Sequence, residues 1–204
     1  MRTTKFHALF VLIIAAIPQS GLVNAGVIAS QTSRTGFKDS WYQAVAFTLG
    51  NAYENVVIEA FLGGSGTVYL TTQIGASTTP DHEVARTDYV GDFNGQLQFL
   101  FSDLQLDAGS YFLVRGGEFA SSWLWNDRTV SATVDKGVTI DGNLTAAPSR
   151  EYAPALDYDD EFTSNRRYLF TVTGDLVAVS EPGVFAMLIF GLFGNWLYGR
   201  RVRQ

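Results

Sequence analysis

The hexapeptide SYFLVR, residues 110–115, sets the periodicity by which the rest of this chain reads. On an extended backbone Tyr111, Leu113 and Arg115 share one face and Phe112 and Val114 share the other. A DAG turn precedes it and a pair of glycines follows. Working outward, QLQFLF (96–101) repeats the pattern, with Leu97 and Phe99 pointing one way. QAVAFTL (43–49), NVVIEAFL (55–62), TVYLTTQ (67–73), TVSATV (129–134) and YLFTVT (168–173) complete the candidate strands. They are rich in β-branched and aromatic residues, which suit a pleated surface. LGNAYEN, GGSG, GDFNG, DAG, NDR and DGN fall between them, with glycine or asparagine available for positive φ. GGSG (63–66), between two candidate strands, reads as a hairpin loop. Residues 146–160 hold two of the five prolines and read as irregular. Residues 26–179 show neither a long amphipathic helix nor a solenoid or propeller repeat. The expectation is an all-β domain, an antiparallel β-sandwich of jelly-roll-like form with its two inner faces packed together.

Both ends differ from this middle. Arg2 and Lys5 precede the apolar run ALFVLIIAAI (8–17), and Pro18 ends it. Val23-Asn24-Ala25 places small or slim residues where a signal peptidase reads. This is the layout of a secretory signal over residues 1–25, cleaved between Ala25 and Gly26. The run is shorter than the roughly 20 residues that span a bilayer. At the other end Gly183 to Gly199 are 17 residues without a charge, followed by Arg200, Arg201 and Arg203. As a helix they would cover about 25 Å, just short of a hydrocarbon core. Arginines beyond such a helix stay on the cytoplasmic side. A buried last helix, a lasting membrane anchor and a processed tail all fit the length; four glycines and the arginines weigh against the first.

Between the ends, residues 26–179 carry 19 Asp plus Glu and 9 Lys plus Arg, so 9 − 19 = −10. The whole-chain net charge of −6 understates this, because five of the fourteen bases lie in the terminal segments. Nucleic-acid binding relies on basic side chains displacing counterions, so this surface disfavours it. There is no cysteine. That removes disulfides and thiolate metal sites, leaving burial to hold an exported domain together. Aromatic residues make up 14% of the chain, which supplies apolar area for that burial.

Chemistry is sparse in the middle. His82 is its only histidine, and in DHEVAR the position one turn later is Arg86, so the zinc-protease pair is incomplete. His82 reads as a solvated loop residue. There is no Gly-x-Ser-x-Gly elbow, and GGSGTV lacks the lysine of a phosphate loop. The acidic stretch DYDDEF places Asp157, Asp159, Asp160 and Glu161 on an expected loop. Their hard oxygens suit calcium, though without the spacing of an EF-hand, and a solvated acidic loop is the plainer reading. No other cofactor is expected. SSWLWND puts Trp123 and Trp125 on one face of an extended segment. Exposed, the pair would stack on sugar rings; buried, it would anchor the core, which is the default. Asn143-Leu144-Thr145 has the spacing of a glycosylation acceptor, a motif too short and frequent to carry an argument. A hydrolase would need two carboxylates placed across a cleft, a distance that sequence does not give.

Ser180-Glu181-Pro182, the apolar segment and the closing arginines together resemble the PEP-CTERM sorting signal of Gram-negative bacteria. The usual tripeptide of that family is Pro-Glu-Pro, so Glu181 and Pro182 match and Ser180 departs. The likeness covers about 25 residues (180–204) and, as in the family, accompanies a signal peptide. It implies a single C-terminal transmembrane sorting helix, recognised by an exosortase and cut near the motif. It also implies transient anchoring in the membrane, then residence at the cell surface or in the extracellular matrix of a species making exopolysaccharide. LQLDAGSYFLVRGG (104–117) further resembles the Leu-x-Ala-Gly-x-Tyr-Tyr-Leu strand of β-sandwich domains that often precede such tails. The expected function is therefore a non-enzymatic, structural or adhesive surface or biofilm-matrix protein. Its processing partners would be signal peptidase and exosortase, with exopolysaccharide as a binding partner. A carbohydrate-binding module using Trp123 and Trp125 is the alternative, and a carboxylate-based glycoside hydrolase the third.

Overall fold

A computed structural model describes residues 25–32, 37–39, 42–116, 122–126, 132–147, 149, 151–159 and 166–177. The signal segment before Ala25 and the sorting residues Ser180, Glu181, Pro182, Arg200, Arg201 and Arg203 lie outside these. Among the described residues no helix is long and apolar enough to cross a membrane. The strands in chain order are β1 (Gly26–Gln31), β2 (Phe37–Asp39), β3 (Tyr42–Leu49), β4 (Tyr53–Thr71), β5 (Glu83–Leu106) and β6 (Gly109–Gly116). They are followed by β7 (Ser122–Asn126), β8 (Ala132–Val134), β9 (Val138–Ala146), β10 (Arg167–Tyr168) and β11 (Phe170–Leu176). Every pairing between them is antiparallel.

The expected period of two is present in β6. Tyr111 and Leu113 enter the main core, while Phe112 and Val114 join a second apolar cluster on the opposite face. β3 follows the same rule: Val45, Phe47 and Leu49 point inward, and Tyr42 and Ala44 outward. Long β4 organises the sheet. One edge pairs with β5 along its length, and the other meets β11 at residues 53–60, β7 at 62–63 and β6 at 67–71. Two arms leave it, β11-β1-β8 from its first half and β6-β3-β9 from its second. The sheet thus curls around one apolar interior, in a form between a sandwich and a barrel. Each large side chain buried there contributes about 1.5–3 kcal/mol.

Three expected turns are not turns. GGSG lies inside β4, whose two halves both pair with β5; Gly64 has φ 75° and the register shifts between Leu62 and Gly64. GDFNG lies inside β5. A side chain on Gly91 would meet Gln98 Nε2 at 2.5 Å and the Leu62 carbonyl oxygen at 3.2 Å. DGN lies inside β9, where Ala46 faces Gly142 and Phe47 faces Ile140, leaving Asp141 as the extra residue of a bulge. In all three places glycine lets a strand bend or bulge rather than reverse. The β4–β5 reversal comes instead at residues 72–82, which include a short 3-10 turn at Pro80–His82.

The irregular segment expected over 146–160 covers the outer face of the β6-β3-β9 arm. Ala153 and Leu156 pack there with Tyr42, Ala44, Val114 and Ala146. The segment is pinned by the Gly75 N–H donating to the Pro154 carbonyl at 2.8 Å. The Tyr152 hydroxyl adds a bond to Glu83 Oε1 at 2.6 Å. Gly116 sits beneath it with no space for a side chain, since a Cβ would lie 2.7 Å from that of Ala153.

Candidate functional site

The inner face is apolar until its rows approach the bend in β4, where they turn polar. Thr145, Gln43 and Arg115 lie side by side across β9, β3 and β6, opposite Val68 of β4. All three are buried, and Gln43 and Arg115 have no exposed surface. Arg115 Nε donates to Gln43 Oε1 at 2.7 Å, so a fully buried cation is met by a neutral amide acceptor. In the next row Asn143 Oδ1 accepts the Tyr168 backbone N–H at 2.9 Å. That bond ties β9 to β10, which pairs with β7. The Asn143 Nδ2 group is buried with no hydrogen-bond partner among the described residues.

From the opposite side Gln31 pairs with Phe170 at the end of β1, and its side chain follows Phe170 inward. It is fully buried, and among the described residues neither its Oε1 nor its Nε2 has a hydrogen-bond partner. A buried amide left unmatched costs about 1–3 kcal/mol. These residues offer hydrogen-bond donors and acceptors.

Trp123 and Trp125 border this end on β7, on one face as expected. Trp123 has no exposed surface: it faces Leu62, packs 5.4 Å from the Tyr168 ring and donates Nε1–H to the Leu169 carbonyl at 2.9 Å. No ring face of Trp123 is open to a sugar, which corrects the two-tryptophan platform; the chain spends this indole on its core. Trp125 is half-buried, with the Arg166 guanidinium carbon 4.8 Å from its ring centroid.

The acidic stretch is only partly described. Asp157 and Asp159 are exposed, and Asp159 exchanges two backbone hydrogen bonds with Thr145 at 2.8 and 3.3 Å. Asp160 and Glu161 lie outside the described residues. Among the described residues no group of three or more His, Asp or Glu side chains is placed to share a metal ion. His82 lies in the 3-10 turn between β4 and β5, partly exposed, and its Nδ1 accepts the Thr79 N–H at 3.1 Å. Asn143 is only 2% exposed, so it is not presented to a glycosylating enzyme in this fold. Ala25 precedes β1, and Gly26 opens it.

Sequence reasoning missed Gln31, Gln43, Arg115 and Asn143 as a group. One signal was legible: Arg115 shares the parity of Tyr111 and Leu113, which assigns a charge to an inner face. Gln43 likewise shares the parity of Val45 and Phe47. Comparison of the chain with protein-family models, with curated proteins and with solved structures finds no match.

Proposed function

We propose that this is an exported, non-enzymatic surface or matrix protein, sorted through its C-terminal tail and acting structurally or adhesively within exopolysaccharide. The observation that carries the reading is the order of Glu181-Pro182, 17 uncharged residues and an arginine cluster, behind an N-terminal signal layout. A jelly-roll-like domain followed by one transmembrane sorting helix is the architecture the reading requires. Two features of the fold support it. The first of the described strands opens at Gly26, the expected first mature residue. The core is also closed by burial alone in a chain with no cysteine, a state independent of redox conditions outside the cell. The test is fractionation in a Gram-negative host that carries an exosortase. The protein should reach the surface or matrix fraction, and Glu181→Ala together with Pro182→Ala should hold it in the membrane fraction. Retention of the unaltered chain in the cytoplasm would reject the reading.

Glycan recognition is a second reading, favoured by the half-buried Trp125 ring on β7, which the Arg166 guanidinium contacts at 4.8 Å. A sugar ring would replace the Arg166 guanidinium over the indole. Binding to a glycan panel that is lost in Trp125→Ala, with thermal stability unchanged, would support it. Binding that survives the substitution would exclude Trp125 as the platform.

A further inference from the structure

β5 is an edge strand of 24 residues. One edge is hydrogen-bonded to β4, and among the described residues no strand pairs with the other. Open edges of this length recruit further strands unless something blocks them. The first half of β5 carries a pattern that selects the recruit. Val84, Arg86, Asp88 and Val90 are all exposed, Val90 at 82%; Arg86, Asp88 and Val90 lie opposite Tyr69, Thr67 and Ser65 of β4, and Val84 is the extra residue of a bulge between Glu83 and Ala85. Ala85 and Tyr89 point the other way, packed with the main core. The outer row, Val-Arg-Asp-Val, is complementary to its own reverse.

We infer that a second copy of this chain docks antiparallel on the free edge of β5, about a two-fold axis through Thr87. In that register Val84 faces Val90 of the other copy and Arg86 faces its Asp88, each twice by symmetry. Directly opposed residues of an antiparallel pair lie on the same face, so the axis must pass through a residue and not between two. An axis at Arg86 or at Asp88 sets like charges against each other. An axis at Ala85 or at Tyr89 sets valine against charge. Thr87 alone matches both the apolar and the ionic partners. Asp88 is already held on this face, its Oδ1 accepting from the Thr67 hydroxyl at 2.6 Å.

The test uses the full chain in detergent micelles, with sedimentation equilibrium across a concentration series. Dimer is expected for the unaltered chain. Arg86→Glu and Asp88→Arg should each weaken association by on the order of tenfold or more, because each creates two like-charge pairs. Mixing the two single variants, or combining both changes in one chain, should restore it. Thr87→Cys introduces the only thiol in a chain without cysteine. It should form a disulfide-linked dimer on mild oxidation, whereas Ser102→Cys, farther along the same strand, should not. A monomer at all concentrations overturns the inference. So does association indifferent to charge reversal with Thr87→Cys left uncrosslinked, which would locate the contact elsewhere, such as in the apolar tail.

Discussion

Among the described residues Trp123 and Arg115 are the two largest side chains with no exposed surface, and they illustrate opposite uses of burial. Trp123 fills the interior beside Tyr168 and satisfies its one donor on the Leu169 carbonyl. Trp123→Ala should cost about 3–5 kcal/mol through the cavity it leaves, measured by chemical denaturation. Arg115 instead carries charge into the core and relies on acceptors such as Gln43. Gln43→Leu should therefore destabilise by about 1–3 kcal/mol, because it strips an acceptor from a buried cation. Gln31→Leu should be neutral or stabilising, since it removes an amide whose two polar atoms have no partner among the described residues. A loss of stability as large as that of Gln43→Leu would mean that the Gln31 amide is satisfied in solution. Inward parity was legible for Arg115 and Gln43. What each touches depends on strands 70 or more residues away (the Gln43–Arg115 bond spans 72 positions), and local sequence holds no record of that.

Among the elements, β4 and β5 separate what periodicity can reveal from what it cannot. Alternation located residues 55–62, 67–73 and 96–101 as extended, and all but Thr72 and Gln73 lie in strands. It could not distinguish a glycine run that reverses a chain from one that bends it, because both use the freedom of a missing Cβ. The choice is made by pairing: both halves of β4 find β5, so the chain continues through Gly64 at φ 75°. Gly64→Val should lose about 1–2 kcal/mol or more from the left-handed backbone penalty, with the denaturant m-value unchanged. Asn55 occupies a comparable position at φ 52°, and its Nδ2 donates to Asp175 Oδ2 at 2.9 Å. Asn55→Gly should lose little by comparison, since glycine adopts this conformation freely and only the exposed hydrogen bond goes. β1 and β2 escaped reading because GVIASQ and FKD do not alternate, and nine-residue β9 because the DGN at its bulge carries turn chemistry.

For the molecule as a whole, buried phenols predict how stability responds to alkali. Burial raises the Tyr53 phenol above its usual range, and the hydrogen bond and charge of Asp135 raise it further. Burial likewise raises Tyr69 and Tyr111, and raises Tyr152, where the bond to Glu83 adds to it. Unfolded tyrosines ionise near pH 10 while these resist. Their contribution is fully present below about pH 10 and is lost as pH rises toward the folded values. Denaturation midpoints should fall above about pH 10 as tyrosinate absorbance appears. A midpoint flat through that range would contradict the burial assigned to these rings.

The fold class was readable because a whole domain repeats one period. The destination of the protein rests on two short end segments and is best decided by weighing the mature protein. Intact-mass analysis of the surface fraction should give a chain that begins at Gly26 and ends near Glu181-Pro182, without the apolar segment and its arginines. A surface form that retains residues 183–204 would contradict cleavage.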